Sequence, residues 1–219
     1  MSNPDSFIDE VNEELKRDRL FAVMRKYAWI AVLLVLVAVG GTAFNEWRKA
    51  RATAEAEAFG DAVVAALQAS DPADRSTALQ AIQTDDARRG ILNLLLAATE
   101  LAQGDRDGTL AALTQVENDA TLPPSYRQIA ALKRVIIGGA DIPAAEREAA
   151  LRGLAAPGGT FRPLALEQLA LLAMEQGDRD GALQQAQALM QEPELTDALR
   201  RRVAQLIVVL GGTLSTDLG

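Results

Sequence analysis

From Ala28 to Phe44 the chain runs for 17 residues (AWIAVLLVLVAVGGTAF) without a charge, and no other stretch so limits how it can fold. Drawn as a helix at about 1.5 Å per residue it reaches roughly 25 Å, near the short limit for crossing a bilayer. The flanks supply the missing length. Trp29 and Trp47, with Tyr27, set amphipathic rings about one bilayer core apart, while Arg25 and Lys26 on one side and Arg48, Lys49 and Arg51 on the other can snorkel. A core helix of a water-soluble protein is the alternative. It would need a large apolar shell, which the Ala-rich remainder supplies poorly. Residues 27–45 therefore read as one membrane span, with Ala28, Trp29, Phe44 and Trp47 marking its ends.

A cleaved signal peptide competes with this reading, since Gly41-Thr42-Ala43 offers small residues for cleavage. Against it, the segment before the run is long and highly charged, and the run exceeds the usual apolar region of roughly 7–15 residues. An uncleaved signal anchor fits better. Five basic residues precede the span (Lys16, Arg17, Arg19, Arg25, Lys26) against three just after it. Basic flanks favour the cytoplasmic side, so the expected topology places residues 1–26 in the cytoplasm and 46–219 across the membrane.

Composition narrows the chemistry. A net charge of −8 argues against nucleic-acid binding as a main activity. The sequence contains no cysteine and no histidine. That removes disulfides and thiolate nucleophiles, and with them the commonest general base and the usual zinc ligand.

Residues 1–26 form a separate helical segment. Ser6, Asp9 and Glu10 read as its start, and Phe7, Ile8, Val11 and Leu15 make a narrow apolar stripe between charges. A helix lying on the bilayer surface, or a frayed one, is the plainer reading of this stripe, and a docking helix for a cytoplasmic partner is the alternative.

Beyond the span the chain repeats itself. Gln103-Gly104-Asp105-Arg106-Asp107-Gly108 recurs as Gln176-Gly177-Asp178-Arg179-Asp180-Gly181, 73 residues later, close to two repeats of about 34 plus a short insertion. Apolar helices are predicted before each copy (91–102 and 164–175) and after it (110–116 and 182–190). Glycine in the left-handed conformation ends the first helix and the neighbouring aspartate caps the second, giving a tight antiparallel hairpin. Calcium binding is a poor alternative, because the full oxygen-ligand loop is missing. Two further hairpins are expected. One is formed by 125–137 and 143–154, with Asp141 capping the second helix and Pro143 in its first turn. The other joins a long helix over 47–69, striped by Ala54, Ala58, Ala62 and Ala66, to a helix from Asp71-Pro72 to Gln83. A helix over 194–210 closes the array, its Arg200-Arg201-Arg202 run being a solvated face, and 211–219 reads as a loose tail.

These residues resemble the tetratricopeptide repeat. Leu169, Ala170, Gly177, Asp178, Ala182 and Pro193 fall on its pattern, and so do Leu96, Ala97, Gly104 and Asp105, with Thr109 in place of the second alanine. The expected fold is all-α: a single N-terminal transmembrane helix, then over 46–210 a tetratricopeptide repeat-like solenoid of about four hairpins plus a capping helix. The whole arrangement, with Phe7-Ile8-Asp9-Glu10-Val11 and Arg17-Asp18-Arg19-Leu20 ahead of the span, resembles the bacterial YfgM-type proteins, ancillary subunits of the SecYEG translocon. That resemblance implies an inner-membrane protein with a periplasmic domain. It implies the Sec translocon and a membrane-anchored periplasmic chaperone as partners, and no catalytic residues.

Three function classes can be weighed. A membrane-tethered interaction module assisting protein export or periplasmic folding fits best, and a scaffold for envelope assembly or division is the alternative. An enzyme fits least. Glu146 and Glu148, at i and i+2, diverge on a helix, and no phosphate loop or metal cluster is evident. No cofactor, metal, nucleic acid or small-molecule substrate is expected.

Overall fold

The computed structural model describes residues 4–84, 87–193 and 195–213; within these, the side chains of 4–23, 27, 28, 31, 32 and 87 lie outside the description. The apolar stripe of the N-terminal segment falls on such side chains, and residues 214–219 of the predicted tail are outside altogether. The described chain is helical, with no strand among the described residues. By packing it divides into two units, Met1–Gly60 and Asp61–Gly219. The break expected at residue 45 was the end of the predicted span, whereas this one falls where a core begins.

The first helix, α1, runs unbroken from Pro4 to Leu67. A helical segment over 1–26, a span over 27–45 and a long helix over 47–69 were expected, and α1 takes in nearly all of this range. They merge because no proline follows Pro4 until Pro72, and Gly40, Gly41 and Gly60 weaken a helix without breaking it. Among the described residues no helix is long and apolar enough to cross a membrane; the apolar run itself includes side chains outside the description. Described residues from Leu33 to Ala50 are all exposed.

The second unit follows α1 with α2 (Pro72–Ala81), α3 (Ala87–Gln103), α4 (Arg106–Asn118), α5 (Pro124–Gly138), α6 (Ala144–Leu154), α7 (Arg162–Glu175), α8 (Arg179–Leu189) and α9 (Asp197–Val209). From α2 onward each helix packs against the next, as in an α-solenoid. Every main core cluster draws on three consecutive helices. Ala97, Leu113, Val116 and Ala130 join α3, α4 and α5. Leu132, Val135, Leu151, Leu154 and Leu172 join α5, α6 and α7, and Ala170, Leu189, Val203 and Ile207 join α7, α8 and α9. No hairpin closes its own core. Each lends apolar surface to the following one, at about 2 kcal/mol per buried leucine or valine.

Several boundaries differ from expectation. Asp71 caps α2 through the Ala73 amide at 2.8 Å, but the helix stops at Ala81, with Ile82 extended. The fourth hairpin, from the end of α1 and α2, is much reduced: Ala66 is buried, whereas Val64 and Leu67 stay exposed. Asp141 does not cap α6. It lies in a single 3-10 turn, Gly139–Asp141, and pairs with Arg106 at 2.9 Å, while Pro143 occupies the cap position without a side-chain bond. Thr196 starts α9, accepting from the Leu199 amide at 3.3 Å.

Candidate functional site

The repeated hexapeptide builds one device twice. Gly104 and Gly177 have φ of 79° and 85°, a region open to glycine and strained for other residues. The following aspartate amides reach back five residues, Asp105 to the Glu100 carbonyl and Asp178 to the Ala173 carbonyl, both at 2.9 Å, which closes the helix end. Each aspartate side chain then accepts from the amide three residues on, Gly108 or Gly181, at 2.9 Å. A Cβ on either of these glycines would collide with the capping carboxylate, so the motif's second glycine makes room for the cap.

The motif's arginine reaches beyond its own hairpin. Arg106 Nη2 donates to the Gly138 carbonyl at the end of α5, at 2.7 Å. Arg179 Nη2 does the same to Val209 at the end of α9, at 3.1 Å. Each motif thus starts one helix and neutralises the C-terminus of the helix after it, where a cation is favoured. Both recipient helices also end on left-handed glycines, Gly139 at 46° and Gly211 at 88°. Glycines at 104, 139, 177 and 211 mark the repeat more completely than the hexapeptide, and their near-regular spacing is the signal that could have found the middle copy. Gly211 and Gly212 donate to Val208 and Ile207 at 3.0 and 2.9 Å, so the start of the predicted loose tail is a bonded helix end.

The second helix of each hairpin places its fourth residue at the crossing. Ala182 in α8 is fully buried, and so is Thr109 in α4, whose hydroxyl donates to the Asp105 carbonyl at 2.7 Å. The departure from alanine is therefore satisfied locally. In α6 the same position holds Arg147, also buried. Its Nε donates to the Ile142 carbonyl at 3.0 Å, and its two terminal nitrogens bind Glu175 at 2.7 Å each. That bidentate pair holds the Glu175 carboxyl below the usual carboxylate range. The pair itself lines a hollow of about 170 Å³ between α5, α6 and α7, together with Ile136, Leu151, Gln168 and Leu171.

Other arginine–glutamate pairs tie neighbouring helices. Arg134 sits between Glu117 at 2.5 Å and Glu146 at 2.8 Å. Arg162 binds Glu192 at 2.7 Å and the Ala155 carbonyl. Arg202 is not merely part of a solvated face, since its Nε and Nη2 both donate to the buried Glu167 at 2.7 Å. Glu146 and Glu148 turn apart, the first to Arg134 and the second to Arg152 at 2.6 Å. Among the described residues no three acidic side chains gather as a metal site would require.

Of the residues expected at the ends of the span, Trp29, Phe44 and Trp47 are exposed, and the Ala28 side chain is outside the description. Phe44 and Trp47 have ring centroids 6.0 Å apart, and the Arg51 guanidinium lies 5.9 Å from the Trp47 ring, a cation–π distance. No protein-family model, curated protein or solved structure matches this chain.

Proposed function

We propose that this protein is a membrane-tethered protein–protein interaction module serving protein export or folding at the Sec translocon. In this reading one N-terminal signal anchor crosses a bacterial inner membrane, the N-terminus is cytoplasmic, and a tetratricopeptide repeat-like domain faces the periplasm. The observation that carries the tether is on α1. Leu33, Leu34, Val35, Leu36 and Val37 follow one another, all exposed. Consecutive positions cover every side of a helix, and aliphatic side chains exposed all round suit lipid rather than water. Thr42 supports it by donating to the Val39 carbonyl at 2.9 Å, which satisfies its hydroxyl without solvent. The helical stack supports the interaction role, since such stacks present an extended surface, and the resemblance to YfgM-type proteins points to the translocon and a membrane-anchored chaperone.

Two experiments test this. A phosphatase fusion at Gly219 should be active and a fluorescent-protein fusion there dark; the opposite pattern rejects the topology. Crosslinking in native membranes should recover translocon or chaperone subunits. Recovery of division or outer-membrane assembly proteins alone would favour an envelope scaffold.

A further inference from the structure

We infer that the second unit carries a defined docking row for an apolar protein segment bearing carboxylates; this rests on the interaction-module reading above and names the chemistry of the partner. Three residues before each of Gly104, Gly139, Gly177 and Gly211 stands one apolar side chain: Leu101 on α3, Ile136 on α5, Met174 on α7 and Val208 on α9. Leu101, Met174 and Val208 are equivalent in backbone terms, because Gly104, Gly177 and Gly211 donate to their carbonyls at 3.0, 3.1 and 3.0 Å; the Gly139 amide reaches Val135 instead, so Ile136 joins them by its count from the glycine and its exposure alone. Leu101, Ile136 and Val208 are 46%, 50% and 59% exposed, respectively, and Met174 is half-buried. A single exposed leucine is ordinary. One per repeat at a fixed register is a row, and a row of this kind marks an interaction site.

The hollow of about 170 Å³ opens beside Ile136. It is an open recess with Arg147 and Glu175 in its lining beside the leucines, so it offers room for one side chain at the edge of the row. Charge selects the rest of the partner. Lys133 lies one turn from Ile136 on the same face of α5, exposed and without an ion-pair partner among the described residues. Glu175, across the hollow, already has its charge matched by Arg147. Arg201, exposed on α9, adds a second cation two turns from Val208. In a chain of net charge −8, an apolar row edged by unmatched cations complements carboxylates.

The test uses the full chain in lipid nanodiscs and fluorescently labelled synthetic peptides of leucine with glutamate, leucine with lysine, and serine with glutamate. The leucine–glutamate peptide should bind tightest. Ile136→Glu should weaken it about tenfold or more, as loss of a central apolar anchor does, and Lys133→Glu should remove the preference for glutamate over lysine. Both sites are exposed, so the melting temperature should hold; if Ile136→Glu lowers it, Leu101→Glu takes its place. Equal binding of the leucine and serine peptides, or indifference to these variants in a folded protein, overturns the inference. Photocrosslinkers at Ile136 and, on α8, at Gln184 separate the two levels. Adducts from Gln184 but not Ile136 reject this row and leave the module intact, whereas no protein adduct from either position rejects the module reading itself.

Discussion

Three hairpins stack in the second unit, and the outer two close differently from the middle one. Between α3 and α4, and between α7 and α8, the crossing is filled by Thr109 and Ala182, both fully buried. Small residues let the helix backbones approach. Between α5 and α6 the same place holds the Arg147 guanidinium, bound to the Ile142 carbonyl and to Glu175. The contact is correspondingly thinner there, and the hollow lies alongside. A fold can thus repeat its backbone register while changing the chemistry of its joint, from dispersion in the outer hairpins to hydrogen-bonded charge in the middle one.

Exchanging the two chemistries gives the largest expected effect. Ala182→Arg puts a guanidinium at a fully buried crossing with no carboxylate built to receive it, and should cost about 4 kcal/mol or more. Denaturant unfolding followed by circular dichroism measures it, and a loss under about 1 kcal/mol would show that the outer joint can open as the middle one does. The reverse change, Arg147→Ala, removes the only side chain bonded to the Ile142 carbonyl among those described and leaves a void, at about 2–3 kcal/mol. Glu175 is half exposed and regains water, which keeps the loss below that of a fully buried pair. Arg147→Leu should recover part of it by filling the space.

Backbone strain comes next. At Gly104 and Gly177 a Cβ meets nothing within 4 Å, so any penalty belongs to the positive φ alone. Gly177→Val should cost about 2 kcal/mol. Gly153 supplies the opposite sign: it lies inside α6 with open space around it, and Gly153→Ala should stabilise by roughly 0.5–1 kcal/mol. If both substitutions shift the melting temperature in the same direction, the assignment of the turn as the sensitive element is wrong.

What could be read from the sequence follows from the range of each interaction. Helix starts at Asp71, Asp105 and Asp178 depend on bonds spanning two or three residues, so their residue types alone announce them. Gly139 was hidden because Gly138-Gly139-Ala140-Asp141 lacks the aspartate directly after the left-handed glycine. Reading Asp141 as a cap then followed from its distance to α6, whereas it serves Arg106 on another helix. The partners of Arg106, Arg179 and Arg202, and the carboxylate partner of Arg147, lie 28 to 35 residues away. No local pattern distinguishes such an arginine from one left in solvent. The docking row was invisible for the same reason, since exposure is decided by neighbours in space.

The motif arginines give a smaller test. Arg106→Gln and Arg179→Gln should each cost about 0.5–1 kcal/mol, because a neutral amide keeps little of the attraction to a helix C-terminus. The effect should appear first as faster amide exchange at the ends of α5 and α9, in helices that do not contain the substitution. Faster exchange confined to α4 and α8 would mean that the arginines act only within their own hairpins.

Acid distinguishes the joints most gently. The Glu175 carboxyl lies below its ordinary range, chiefly through the hydrogen bonds from Arg147, and Glu192 does so through those from Arg162. Each therefore binds a proton more weakly folded than unfolded. The stability they add is present above the ordinary glutamate pKa of about 4.3, and it is lost as pH falls through the depressed folded value. Both carboxylates are in contact with solvent, so salt screens the effect and its size stays small. Between about pH 5 and 3 the melting temperature should fall less steeply in Glu175→Gln than in the unmodified protein. Amide exchange should loosen α5 and α6 before α3 and α4, where the crossing holds no ion pair. An acid slope unchanged by Glu175→Gln would mean that the arginine holds the middle hairpin through the Ile142 carbonyl and its packing, with the carboxylate contributing little.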